Sequence, residues 1–345
     1  MTATAVESAS ATASPVWTIE PEFELTADES AALQAALATT TISPYRNYSA
    51  FNQQVSDVIR AGAVPRRFVD HVATLAGRDR AAAPVVVFKN VPFDTDVPVF
   101  DFDEPVKSKY ELKKTFIAEA MLALFAQLAG TPAIGYLNVN GGDVFQDIYP
   151  KKSMAASQSQ KALREIHFHK DLANHFVRPD QVYMVGMRSH RQNEVYTSFV
   201  RNCDIWPRFA EAELEVLRGT NFYTPFDDLT VAGDKELGEA EIHPVLGPIG
   251  DLRYFESRTR GRTSEAQALL TKLDEILHSL KQRVFIEPGD FVITYNNYTI
   301  HAKEVVAVAD EDLLRTRWIV KTVNVDSIAP HLAHLVPGTD YLVNG

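Results

Sequence analysis

A mainly β domain wrapped by helices is the fold class this sequence predicts, and three observations predict it. Short β-branched and aromatic runs separated by Gly, Asn and Pro occupy the middle and the end of the chain. Helical periodicity is concentrated in the first third and again around residues 264–281. No internal repeat or long linker divides the 345 residues, of which 46% are hydrophobic, enough for one large core.

The elements follow in order. Residues 1–16, which begin with an Ala-, Ser- and Thr-rich stretch lacking a basic start or a continuous apolar run, are expected to be a disordered tail rather than a secretory signal, with a single domain over 17–345. Thr26-Ala-Asp-Glu29 has the form of a capping box, and Leu33 and Leu37 continue a short helix behind it. Helical patterns recur near 50–61 and 66–77. Pro84-Val-Val-Val-Phe88 reads as a buried strand. From Glu111 to Ala129, apolar residues at three- and four-residue steps predict one amphipathic helix closed by Gly130. Val182–Met187 and Val195–Phe199 read as strands, and 207–217 and 264–281 as helices. Glu287-Pro-Gly-Asp290 is a turn that launches the strand Phe291–Tyr295, and Arg317–Val323 is the last strong strand.

Composition excludes several classes of function. A net charge of −11 and a pI near 5.4 argue against nucleic acid or anionic lipid as partners. No run of 18 apolar residues offers a membrane span. The single cysteine, Cys203, rules out an intrachain disulfide and Cys-rich zinc chemistry and fits a cytoplasmic protein. The sequence leaves a homodimer open.

The residues with chemistry begin at His169-Lys170-Asp171, where His is followed two positions later by an acid. Ten His and 45 acids in 345 residues produce such a pair about once by chance, so context decides. Residues two apart on an extended segment share a face, so His169 and Asp171 can point into one cavity. His301, beyond the Glu287–Asp290 turn and the strand it launches, is placed to supply a distant third ligand. Two histidines and a carboxylate on one face of an octahedron leave three positions open, which suits Fe(II). Alone, a buried His is more often a hydrogen-bonded core residue. His167 lies on the same face as His169 and is a rival ligand. His175 reads as a group beside the substrate cavity. His71, His190, His243, His278, His331 and His334 fall in no partner pattern.

Here a family resemblance enters. Phe168-His-Lys-Asp-Leu-Ala-Asn-His175, with Arg178-Pro-Asp180 after it, resembles the clavaminate synthase-like pattern F-H-T-E-x-A-x-H followed by a proline. Glu287-Pro-Gly-Asp290, Asn296, His301-Ala302 and Arg317-Trp318 resemble that family's later segments, and Gly135-Tyr136, Pro150, Ser157 and Ser159 also find counterparts. The resemblance spans about 132 to 325. It implies a double-stranded β-helix (jelly roll) core with flanking helices, and a metal site of His169, Asp171 and His301 that holds Fe(II). 2-Oxoglutarate would be the cosubstrate and O2 the oxidant. It implies that Arg317 pairs with the distal carboxylate of 2-oxoglutarate, a role suited to a planar bidentate guanidinium, and that Thr197 adds a hydroxyl. The activity implied is hydroxylation, or desaturation or cyclisation, at an unactivated C–H of an amino acid or amino-acid-derived small molecule, in bacterial specialised metabolism.

Three departures from the family pattern bear on the substrate. Asp171 stands where relatives often carry Glu; a carboxylate there argues against halogenation. Lys321 stands where a second arginine often grips the substrate carboxylate, and Val139 where a glutamine often meets the substrate amine. Candidate substrate-cavity residues are Lys321, His175, Gln146, Asp147, Ser157, Ser159, Glu256 and Arg258, the last two by alternation along Leu252–Arg258. The alternative readings are a zinc cupin-like hydrolase or isomerase using His167, His169 and His301, and a non-catalytic jelly-roll binding protein.

Overall fold

The structure, a computed structural model, describes residues 17–226 and 241–344; the expected tail over 1–16 lies outside them. Along the chain the strands are β1 (Pro21–Glu24), β2 (Val85–Lys89), β3 (Ala133–Tyr136), β4 (Gln146–Ile148), β5 (Ile166–His169), β6 (Gln181–Arg188), β7 (Glu194–Arg201), β8 (Phe222–Tyr223), β9 (Ile242–His243), β10 (Arg260–Gly261), β11 (Gln282–Val284), β12 (Phe291–Tyr295), β13 (Thr299–Ala307), β14 (Trp318–Asn324) and β15 (Leu342–Val343). They form a major sheet in the order β1-β2-β12-β6-β14-β3-β15, with β4 also paired to β14. A minor sheet runs β11-β7-β13-β5, and β10-β8-β9 make a small third one.

Side-chain alternation sorts these strands into layers. Val85, Val87, Val182, Met184, Val292 and Ile319 of the major sheet join Phe199 of the minor sheet in the apolar layer between the two. The intervening residues Val86, Phe88, Tyr183, Val185, Ile293 and Val320 face outward and pack on the helices of the first 130 residues. Behind the minor sheet, Phe168, Val200, Ile300 and Ala302 meet the helix Ser264–Leu280. This two-sheet jelly roll with helices on both outer faces is the fold class expected.

The helices at Ala27–Leu37, Tyr48–Arg60 and Arg66–Thr74 lie where their patterns predicted, the first with its capping box complete. The single helix expected over 111–129 is instead two, Pro105–Leu112 and Ile117–Ala129. The break has a polar cause. Asp94 accepts the orphan N–H groups of Ile117 and Ala118 at 3.1 Å each, and Lys113 turns inward to pair with Asp94 (2.9 Å) and Glu119 (2.8 Å). Gly130 ends the second helix at φ +69°. The helix expected over 207–217 begins only at Glu211, after a turn at Trp206–Arg208. Leu252–Arg258 is no strand; Leu252 and Phe255 make isolated bridges, and Ser257 takes φ +66° in a turn.

The turn at Glu287–Asp290 docks on β6 through Gly186 N–H to Asp290 O (2.9 Å) and Gly289 N–H to Gly186 O (3.0 Å). A Cβ at Gly186 would lie 2.0 Å from the Glu287 carbonyl oxygen, so only glycine permits the contact. That docking sets β12, and through the following Asn296–Tyr298 turn it sets β13, which carries His301.

Candidate functional site

Inward-facing residues of both sheets line one large cavity, among them Gln146, Ile148, Met184, Thr197, His169, His301, Lys303, Arg317, Ile319 and Lys321. His169 and His301 are register partners across the β5–β13 pair, so the sheet itself brings their rings to 4.5 Å. Asp171 lies just past the end of β5, and Leu172 after it adopts φ +53°. Asn296 pins this turn by its backbone: its side chain accepts from Asp171 N–H at 3.2 Å and donates to the carbonyls of Asp171 (3.2 Å) and Pro179 (2.8 Å).

The three side chains converge. Asp171 Oδ1 is 3.4 Å from His169 Nε2 and 3.9 Å from His301 Nε2, and one donor atom from each residue falls within 4.8 Å of the others. His169 Nδ1 donates to the His167 carbonyl at 2.8 Å, which fixes the tautomer with a lone pair on Nε2, and Phe255 stacks on the ring at 5.1 Å. His301 Nδ1 is buried without a hydrogen-bond partner, so its strand and the neighbouring His169 and Phe199 rings orient it. Burial, reinforced by the His169 ring, pulls its pKa down to about 3, which keeps the imidazole neutral. Burial alone would raise the Asp171 carboxyl. Lys321, 2.9 Å from Oδ2, together with the two imidazoles, instead holds it well below the usual carboxylate range. Two imidazoles and one ionised carboxylate, converging in one cavity, fit a divalent transition metal.

Arg317 enters the same cavity from the start of β14. It is buried, no acid among the described residues pairs with it, and burial drags its pKa down to about 10. Its neighbour Lys303 is pushed well below the usual lysine range by burial, with the Arg317 charge adding to it, and donates to the carbonyls of Ala162 (2.8 Å) and Leu163 (3.2 Å). Thr197 lines the cavity opposite Lys303 in the β7–β13 register. A buried guanidinium with no acid partner among the described residues, in a cavity that Thr197 also lines, fits a carboxylate ligand.

The other sequence candidates divide. Lys321, Gln146, Ser159 and His175 line the cavity, His175 edge-on to Tyr136 at 5.0 Å. Asp147 does not: strand alternation turns it to the outer face of the major sheet, where it pairs with Lys109 (2.6 Å) and accepts from Trp318 Nε1 (2.9 Å). Ser157 reaches the cavity only through Ser159, to which it is hydrogen-bonded at 2.9 Å. Glu256 accepts from Phe168 N–H and pairs with His278 at 2.7 Å, and Arg258 donates to the Phe226 carbonyl at 2.5 Å, both outside the lining. His167 is bonded to Ser257 Oγ at 2.8 Å and stands apart from the converging triad. Sequence reasoning missed Lys303 and Phe255. Lys303 was within reach, being two residues past His301 on the same strand face; Phe255 gave no signal.

No family model matches the sequence. Clavaminate synthase 2 of Streptomyces clavuligerus is 25% identical over 277 residues, 76% of this chain and 84% of that protein. L-asparagine oxygenase of Streptomyces coelicolor is 24% identical over 237 residues, 66% of this chain and 68% of that protein. Among solved structures, asparagine oxygenase in complex with Fe(II), 2S,3S-3-hydroxyasparagine and succinate superposes with a TM-score of 0.79 at 19% identity, covering 94% of this chain and 99% of that one.

Proposed function

We infer that this chain, a clavaminate synthase-like Fe(II)- and 2-oxoglutarate-dependent oxygenase, hydroxylates an unactivated C–H of an amino acid or amino-acid-derived small molecule, with His169, Asp171 and His301 as metal ligands. One observation carries the residue assignment: three convergent donors share a cavity with a buried guanidinium that has no counter-ion among the described residues. When bound, Fe(II) with 2-oxoglutarate and O2 supplies the oxidation, one oxygen atom entering the substrate and the other ending in succinate as carbon dioxide leaves.

The chain's own residues do the rest. Arg317 and Thr197 hold the distal carboxylate of 2-oxoglutarate and so fix its keto-acid end toward the triad. Lys321 holds Asp171 Oδ2, leaving Oδ1 turned toward the imidazoles and presetting ligation through one oxygen. Ile319, Met184 and Phe255 keep water from the reacting centre. Against the zinc reading, His167 stands outside the group of converging donor atoms. A non-catalytic binding protein has no use for two imidazoles and an ionised carboxylate converging in the same cavity as Arg317.

The experiment is anaerobic addition of Fe(II) and 2-oxoglutarate, watching for the weak visible metal-to-ligand charge-transfer band. The band is expected in the native protein, absent in His169→Ala, and weakened in Arg317→Ala. Tight Zn(II) binding with no band refutes the reading.

A further inference from the structure

Lys303 is buried and lines the cavity, yet neither the metal triad nor Arg317 accounts for it. It stands two residues past His301 on the same face of β13, roughly 7 Å along the strand. Across the β7–β13 pair its register partner is Thr197, and Arg317, whose charge acts on it, enters the cavity from the start of β14. A guanidinium, a hydroxyl and a lysine nitrogen, carried by three separate segments, thus border the same cavity one pleat beyond the metal ligand.

The Lys303 nitrogen is fixed in place. It donates to the carbonyls of Ala162 (2.8 Å) and Leu163 (3.2 Å), and these belong to a turn closed by Ala162 N–H to Ser159 O and Leu163 N–H to Ala155 O, both 2.9 Å. Those carbonyls occupy two of the three hydrogens of an ammonium. Burial and the Arg317 charge both work against a positive Lys303, and Glu165 offsets part of this. A tie to two carbonyls is served as well by a neutral donor, without that repulsion. An anionic oxygen in the cavity turns the repulsion into attraction on both sides. We propose, on the oxygenase reading above, that Lys303 is a further binding residue for 2-oxoglutarate, its side-chain nitrogen donating to the distal carboxylate that Arg317 and Thr197 also receive. The carboxylate then links the minor sheet, through Thr197 and Lys303, to the start of β14, through Arg317, and the site's demand for a dicarboxylic keto acid is shared between two basic side chains.

The test compares two keto acids of equal chain length, 2-oxoglutarate and 2-oxopentanoate, the second with a methyl group in place of the distal carboxylate. Both present the same keto-acid end to Fe(II), so each is titrated anaerobically against the visible band in the full-length native protein, in Lys303→Met and in Arg317→Met. In Lys303→Met the Kd for 2-oxoglutarate is expected to rise by at least about tenfold, while that for 2-oxopentanoate stays within about twofold of native. In Arg317→Met, where Lys303 is intact, 2-oxoglutarate is expected to keep a preference of at least about tenfold over 2-oxopentanoate. Equal weakening of both keto acids in Lys303→Met marks a residue that only shapes the wall, and an unchanged Kd for 2-oxoglutarate marks one that does not reach it; either overturns the proposal. Loss of all preference in Arg317→Met overturns it as well, whether or not Lys303→Met folds. In each of these cases the band of the native protein still supports the oxygenase reading. If the native protein forms no band with either keto acid, that reading fails and the proposal with it.

Discussion

Replacing Arg317 with methionine should move stability and cosubstrate affinity in opposite directions. Burial draws the pKa of Arg317 from the usual guanidinium range down to about 10, with no acid among the described residues to offset it. The gap corresponds to about 3 kcal/mol by which the ligand-free fold is penalised for holding this charge. Arg317→Met removes the charge, keeps an apolar stem in the cavity and relieves Lys303, so the ligand-free protein should be stabilised by up to about 3 kcal/mol, within the range seen when buried ions give way to apolar residues. On the proposed role of Arg317, the same substitution would strand the distal carboxylate of 2-oxoglutarate. Losing one partner of a buried charge pair costs about 2–5 kcal/mol, a Kd weaker by roughly 30-fold to 5,000-fold. Urea titration of the metal-free protein reads the first effect, and titration of the Fe(II) protein with 2-oxoglutarate, followed at the visible band, reads the second. A variant that is less stable and binds 2-oxoglutarate unchanged would show that Arg317 is a structural residue and refute the reasoning.

Two further outcomes are expected. Lys321→Met strips a buried counter-charge from Asp171, so the metal-free protein should lose about 3 kcal/mol, and added Mn(II) should raise the melting temperature of the variant by more than it raises that of the native protein; equal increments in a thermal scan would contradict this. His243 is held neutral, its Nδ1 donating to the Pro244 carbonyl (2.8 Å) and its Nε2 accepting from Thr224 (2.9 Å), and burial pulls its pKa down to about 4. Because the unfolded chain takes up this proton first, near pH 6.5, the stability it contributes is present above that value and lost as pH falls toward 4, by at most about 3 kcal/mol. Urea midpoints at pH 7 and pH 4.5 should therefore separate less for His243→Gln than for the native protein.

How far the sequence carried depended on parity and on neighbours. His169, Asp171, His301 and Arg317 were legible because their motifs fix both residue type and strand face, and the structure sets all four around one cavity. Asp147 was misread for want of one residue of register: its neighbour Gln146 faces in, so alternation sends Asp147 out to Lys109. Glu256 and Arg258 alternate as a strand would, but Ser257 turns the chain, and the pairing of this segment with β5 is limited to an isolated bridge between Phe255 and His169. The split of the expected 111–129 helix depended on Asp94, some 20 residues upstream, capping Ile117; no local window contains that information. The jelly roll itself was legible through resemblance more than periodicity, because inward and outward strand faces here are both apolar.

The turn that carries Asp171 is secured by Asn296 through main-chain atoms, and the carboxylate adds a single tie, its pair with Lys321 of β14. The two histidines, by contrast, are built into paired strands. Positioning and charge compensation are thus assigned to separable parts of the molecule. The acid can be exchanged for another side chain, or deleted to admit an external anion, without re-laying the sheet, so this one position is where the chemistry of the scaffold is most freely rewritten.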